Sequence, residues 1–169
     1  MSTMMAVDRS VYFVGGRIYM NKLIPHLIAG LGASIAIGLL SFLDTNLTNV
    51  VLIMAPFGAT AVLVFGLPDS PLAQPKNVVF GHLITAFIGL FFVHFIEVSP
   101  LTLGLATGIG VSAMLMSKTT HPPAGANPLL IMLSGQSLGW FFLVTPVLIG
   151  ALVIVLIGKF MQELQKKFN

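Results

Sequence analysis

The chain has 169 residues, of which 56% are hydrophobic and 8% charged, with eight Lys/Arg, five Asp/Glu and no Cys. Soluble domains carry about 25% charged residues, and disordered chains combine low hydrophobicity with high charge, so both classes are excluded. The absence of Cys excludes disulfides, thiolate metal sites and Cys nucleophiles, and the net charge of +3 is too scattered for a nucleic-acid partner. What remains is a single polytopic transmembrane domain over residues 1–169, embedded in a lipid bilayer.

A helix needs about 20 mostly apolar residues to cross the hydrocarbon layer. The first 22 residues carry Arg9, Arg17 and Lys22 without a signal-peptide cleavage pattern, and they read as a cytoplasmic flank. The first span is expected over Leu23 to Leu43. The second, Asn49 to Leu67, is interrupted by Pro56 and Gly58. The third covers Val78 to Ile96, and the fourth, Leu101 to Ser117, is at the short limit. Residues 119–158 hold no charge and divide at Ser134-Gly135-Gln136-Ser137 into a broken piece, Thr119 to Leu133, and a long helix, Gly139 to Gly158.

Charge tests this count. With six crossings and both termini inside, all eight bases (Arg9, Arg17, Lys22, Lys76, Lys118, Lys159, Lys166, Lys167) fall on the inner side. The outer loops hold Asp44 and Glu97. This is the positive-inside pattern. No long Ser/Arg-rich leader is present, which fits a bacterial inner membrane better than a plastid.

The two broken segments resemble one another. Pro56-Phe57-Gly58-Ala59-Thr60-Ala61-Val62-Leu63 aligns with Pro123-Ala124-Gly125-Ala126-Asn127-Pro128-Leu129-Leu130. Gly66, Gly81 and Gly89 then pair with Gly135, Gly150 and Gly158 at a constant offset. The expected fold is therefore an all-α membrane protein of two three-segment repeats, about 22–97 and about 100–160. Segments 2 and 5 are broken at Pro56-Gly58 and Pro122-Gly125. Three crossings per repeat would invert the second copy, a transporter and channel design with its site near the midplane.

A residue before Pro is pushed out of the α region, so His121 and Pro122 are expected to be extended. Gly125 permits unusual φ, Asn127 suits an N-cap and Pro128 position N1. In the first copy Pro56 breaks the helix, Gly58 bends it and Thr60 can cap the helix after the bend. Two half-helix N-termini would then form an anion site without buried Lys or Arg. The plain alternative is a pair of Pro kinks that only shape packing. A small monovalent anion is expected between Thr60 and Asn127. Amides of residues 58–62 and 125–130, with Thr119 and Thr120, would add donors.

The other intramembrane polar residues are His26, His82, His94 and Gln136. Ionisable residues in spans are functional candidates by default. His82 and His121 are read as proton-linked groups or simple donors, and His26 and His94 as interfacial. Gly104-x-x-x-Gly108 and Gly30-Leu31-Gly32-Ala33-Ser34 let helices approach closely, and a homo-oligomer is expected. The Gly-rich run Gly108 to Ala113 has no preceding strand and no later acid, so it is not a dinucleotide fingerprint. No nucleophile–base–acid set exists, so no catalysis is expected.

The string Met54-Ala55-Pro56-Phe57-Gly58-Ala59-Thr60-Ala61-Val62-Leu63 is followed by Phe65-Gly66-Leu67-Pro68-Asp69-Ser70-Pro71-Leu72-Ala73-Gln74-Pro75-Lys76-Asn77 and Gly81-His82. With Thr120-His121-Pro122-Pro123-Ala124-Gly125-Ala126 and Gly139-Trp140, it resembles the HPP family of integral membrane proteins, over roughly Asn49 to Gly158. At Asn127-Pro128 the chain departs from a more usual Thr-Ala-type pair. The resemblance implies a nitrite transporter that needs no metal or organic cofactor. Pro56, Gly58, Thr60, His82, Thr119, Thr120, His121, Pro122, Pro123, Gly125 and Asn127 are the expected pore or substrate-binding residues. The alternatives are a non-conducting structural or regulatory subunit, and a channel for another small solute.

Overall fold

A computed structural model of the protein describes residues 10–47, 50–134 and 138–167. The expectations placed on Arg9, Asn49, Gly135 and Gln136, and on the side chains of Arg17 and Lys22, lie outside the described residues. Among the described residues six α-helices occur in this order: α1 Ser10–Asn46, α2 Pro56–Gly66, α3 Pro75–Phe95, α4 Pro100–Met116, α5 Asn127–Leu133 and α6 Ile149–Gln165. No strand occurs among the described residues. Proline opens α2, α3 and α4, and the 3-10 turns Pro71–Ala73 and Pro122–Ala126. Its fixed φ and missing N–H suit a first helical turn.

Among the described residues three segments are long and apolar enough to cross a membrane: Leu23–Asn46, Pro75–Phe95 and Trp140–Gln165. Helices α2 and α4 are shorter apolar helices. At 1.5 Å per residue, α2 covers about 16 Å, so segment 2 owes the rest of its reach to the non-helical stretch over 50–54. The chain therefore departs from helix in 50–54 and 117–121 and resumes it at Pro56 and Pro122.

Segment 6 corrects the expectation of an intact helix from Gly139. It holds a 3-10 turn, Trp140–Leu143, and a kink where Thr145 is extended (φ −135°, ψ 118°) and the Thr145–Pro146 peptide is cis. Pro146 is the cause, since a proline cannot donate into the preceding turn.

Backbone outside helices must find partners inside a membrane, and here side chains supply them. Asp44, near the end of α1, accepts from the Leu52 N–H (2.5 Å) and the Ile53 N–H (3.3 Å). Thr145 donates to the Val51 carbonyl. In the second half Asn77 donates from its amide nitrogen to the Thr120 carbonyl (2.9 Å). The end of α4 closes with the Lys118 N–H on the Leu115 carbonyl and the Thr119 N–H on the Met114 carbonyl. Lys118 holds the left-handed position (φ 54°) that glycine usually takes in this motif.

Packing pairs the halves crosswise. Helix α1 lies on α6 and α2, while α4 lies on α3 and α5. Helix α2 packs on α6, and α5 packs on α3. Glycines admit these approaches. A Cβ on Gly81 of α3 would sit 2.9 Å from both the His121 Cβ and the Thr119 carbonyl, and one on Gly150 of α6 would collide with the Phe57 ring. Two turns further on, Gly89 meets Pro128 and Gly158 meets Val64. The core they surround includes Leu40, Phe57, Leu90, Ile131, Val147 and Ile154.

Large apolar side chains are also exposed outward on every long segment, among them Leu27, Leu31, Phe87, Phe95, Leu156 and Phe160. That inside-out surface is what a lipid solvent requires, because lipid tails are as apolar as leucine.

Candidate functional site

Four of the residues nominated from sequence converge. Thr60 stands on the second turn of α2, His82 on the third turn of α3, His121 just before the Pro122–Ala126 turn, and Asn127 at the start of α5. None is more than 1% exposed. Thr60 Oγ1 lies 2.8 Å from His82 Nε2 and 3.0 Å from His121 Nε2. His121 Nδ1 is 2.8 Å from the Leu72 carbonyl, and Asn127 Nδ2 is 3.0 Å from His82 Nδ1. The imidazoles meet edge to face at 5.1 Å, and the Phe57 ring closes the other side of His82 at 5.3 Å.

The partners fix the direction of every bond. Thr85 commits its hydrogen to the Gly81 carbonyl (2.8 Å), so its oxygen (3.0 Å), the His82 carbonyl (3.1 Å) and His82 Nδ1 are three acceptors that share the two hydrogens of Asn127 Nδ2. That turns the Asn127 amide nitrogen toward His82, whose Nδ1 accepts and whose Nε2–H therefore donates to Thr60. At the other end the Leu72 carbonyl can only accept, so His121 donates from Nδ1 and its bare Nε2 accepts from the Thr60 hydroxyl. The Thr60 hydrogen has a second acceptor in the Pro56 carbonyl at 3.2 Å. The result is one directed chain: Asn127 to His82 to Thr60 to His121 to Leu72. Asn127 Oδ1 is buried and has no partner among the described residues.

The buried polar side chains among the described residues are Thr60, His82, Thr85, Thr119, His121, Asn127, Thr145 and Gln165. None carries a fixed charge. No group of three His, Cys, Asp or Glu suited to a metal occurs among the described residues. The cluster lies a few ångströms to one side of the middle of α3, toward its N-terminal end. His82 is seven residues past Pro75, about 10 Å along a helix of about 31 Å.

The capping roles read from sequence are corrected. Thr60 bonds back to Pro56 inside α2, whose N-cap is Ala55 without a side-chain bond. Asn127 is the first residue of α5, and its N-cap is Ala126. Neither Gly58 nor Gly125 takes a left-handed φ. His121 is extended (φ −136°, ψ 100°), but Pro122 already begins a 3-10 turn. The Phe57 and Gly58 amides bond to Met54 and Ala55, the Ala124 amide to His121 and the Asn127 amide to Ala124. The turns thus consume the Gly58 and Asn127 amides, two of those expected to face a ligand.

The remaining nominated residues stand apart. Pro56 contributes its carbonyl, and Pro123 is buried packing. Gly58 and Pro122 are exposed, and Gly125 is half-buried. Thr119 bonds through its hydroxyl to Ser117 (2.7 Å), and Thr120 takes part through its carbonyl. His26 is exposed, and the exposed His94 stacks on Trp140 at 5.2 Å. Sequence reasoning missed Phe57, Leu72 and Thr85. Thr85 was signalled by its place three residues after His82 on one helix face. Leu72 offers only a carbonyl, which no side-chain pattern reveals.

The family profile described as "HPP, transmembrane region" matches residues 19–169. Two proteins of Dictyostelium discoideum, each named only as a transmembrane protein, are similar. One is 30% identical over 79% of this chain and 45% of its own length. The other is 31% identical over 68% of this chain and 42% of its own. The chain thus spans less than half the length of these curated relatives. No solved structure matches it. With its all-helical architecture, membrane-length apolar helices and a profile match over nearly its whole length, the chain belongs to the HPP transmembrane-region family.

Proposed function

We propose that this chain is a transporter or channel for a small monovalent inorganic anion, with nitrite as the first candidate. The observation that carries the reading is the buried, uncharged polar cluster of Thr60, His82, His121 and Asn127 between elements of both halves. Polar groups inside a bilayer are costly, and in membrane proteins they mark solute paths and proton relays. The crosswise packing of α1 on α6 and α4 on α3 supports two inverted repeats. The anion would be met by side-chain hydrogens of Asn127, Thr60 and the histidines, aided by the positive end of α2. Nitrite enters from the resemblance of the Pro56–Lys76 and Thr120–Ala126 strings to HPP nitrite transporters.

The reading extends to a bacterial inner membrane with both termini cytoplasmic. It also includes a homo-oligomer, supported by the uncovered Gly104, Gly108 and Ser112 face of α4. A second reading, a non-conducting membrane subunit, is favoured by one fact: the cluster's groups already bond to one another.

Nitrite entry into proteoliposomes at neutral to alkaline pH separates the two. Empty vesicles control for leakage of nitrous acid. Saturable entry is expected, and Asn127→Leu should lower it by about tenfold to a hundredfold, the worth of one hydrogen bond to a charged group. Entry no faster than in empty vesicles, with the protein folded, removes nitrite and leaves an anion panel to decide.

A further inference from the structure

Two features of the cluster are not needed for binding an anion. The first is the direction of the chain. It runs without interruption from Asn127, inside the bundle, to the Leu72 carbonyl in the turn Pro71–Ala73 that joins α2 to α3. The second is the unpartnered Asn127 Oδ1, an acceptor with no hydrogen to accept. An anion brings no hydrogen to such an atom. A proton on the neighbouring His82 Nδ1 does.

We propose that His82, Thr60 and His121 form a proton relay between the Asn127 pocket and the loop at Leu72, so that the anion crosses together with a proton. This rests on the transport reading and deepens it by naming the co-substrate.

The relay moves one proton and leaves no net charge behind. A proton released from the pocket binds His82 Nδ1, and the Asn127 amide turns its free Oδ1 to accept it, giving up the Nδ2 bonds to the Thr85 oxygen and the His82 carbonyl. The hydrogen on His82 Nε2 passes to Thr60 Oγ1 as the Thr60 hydrogen passes to His121 Nε2. His121 then holds hydrogens on both nitrogens and releases the one on Nδ1 to water at the loop. One proton has entered at His82 Nδ1 and one has left from His121 Nδ1. Both rings finish neutral, each in the opposite tautomer. The Pro56 carbonyl, 3.2 Å from Thr60 Oγ1, gives the hydroxyl a second orientation from which the chain can reset.

A histidine pair can work here because nothing nearby fixes its charge. From α2 the pair meets Thr60 and Phe57, from α3 Gly81 and Thr85, from α5 Asn127, and from the Pro71–Ala73 turn a carbonyl. Among the described residues, the titratable groups facing one another are the two imidazoles alone. Lys76 and Lys118, at the ends of α3 and α4, are exposed, as is Asp69.

The test uses proteoliposomes holding a pH-sensitive dye, with nitrite entry read separately by a colour reaction. Wild-type protein should acidify the lumen when nitrite is added outside, beyond empty vesicles and in step with entry. Thr60→Val, which keeps the shape and removes the hydroxyl, should lower nitrite-driven acidification by about a hundredfold or more, the usual range for a lost proton-transfer group. Thr60→Ser should restore it, which a merely structural loss would not explain. Nitrite entry without acidification overturns the relay and leaves the transport reading standing. Full acidification in a folded Thr60→Val protein also overturns it. If nitrite does not enter at all, the transport reading fails, and a potential imposed with potassium and valinomycin then decides the relay. Protein-dependent acidification that Thr60→Val loses keeps it, and none removes it.

Discussion

At the scale of single residues, the polar side chains divide into those that hold backbone and those that hold one another. Asp44 belongs to the first group. Its charge beside a span reads as a topology signal, yet its carboxylate accepts two amides of the stretch that precedes α2. Hydrogen bonds to a charged acceptor contribute about 1.5–3 kcal/mol each, and an amide left unpaired costs a similar amount. Asp44→Ala should therefore destabilise the protein by about 2–4 kcal/mol, read as a lower thermal midpoint in detergent. Asp44→Asn, which keeps one acceptor oxygen, should lose less. Equal stability of all three proteins would mean that water serves these amides as well as the carboxylate does. His82 and His121 belong to the second group. Their type and depth mark them in the sequence as functional candidates, but the hydroxyl that joins them is visible only in three dimensions, since Thr60 and His121 are 61 positions apart.

At the scale of elements, prolines are legible in the sequence as interruptions, but not as to what they interrupt. Pro56 and Pro122 open helices, and the departure from helix comes in the residues before them. The physical reason is that proline restricts its predecessor and suits a first turn. Residue type favours caps for Asn127 and Thr60, but a 3-10 turn runs directly into α5 and leaves Asn127 no cap position to fill. Pro146 gives little signal within a strongly apolar run, although it kinks segment 6.

The glycine spacing is the more reliable guide, because it records where backbones touch. Gly81 and Gly150 each receive the non-helical part of the other half. Gly81→Ala presses on a carbonyl and on the His121 Cβ, neither of which can swing aside, and Gly150→Ala presses on a fully buried Phe57. Overpacking of this kind costs about 1–3 kcal/mol. Both variants should unfold earlier on heating, and Gly81→Ala should also lower transport by displacing His121. Gly38→Ala, with nothing within 4 Å of the added carbon among the described residues, is the control and should leave the midpoint unchanged. If all three behave alike, the close approaches carry no weight.

At the scale of the whole molecule, the ends of the bundle differ in charge. Gln165 donates to the Pro25 and Phe65 carbonyls, and Gln162 donates to the Val64 carbonyl. These bonds tie the membrane-entry end of α1, the end of α2 and the end of α6 to one rim. Lys159 lines a crevice there with Pro68, Gln74 and Pro75, which places the start of α3 and Lys76 on the same rim. Asn77 brings the end of α4 to it through Thr120, and Lys118 with it. The opposite rim holds Asp44 with the Val51–Thr145 contact, and the end of α3, where His94 and Phe95 lie against Trp140. Lys76, Lys118 and Lys159 thus lie at one physical end, and the excess of lysines there predicts that it faces the cytoplasm. Because the chain has no Cys, single cysteines report without background. Asp69→Cys and Lys167→Cys should resist an impermeant maleimide applied to the outside of intact cells and react after permeabilisation. Thr45→Cys and Glu97→Cys should react from outside. If Asp69 and Lys167 report opposite sides, the end-to-end grouping of α2 and α6 fails, and the crosswise packing of the two halves fails with it. If all four report the reverse sides, the grouping stands and only the orientation is inverted. The loop at Leu72 would then open outward, and a proton passing along His82, Thr60 and His121 would reach the external medium.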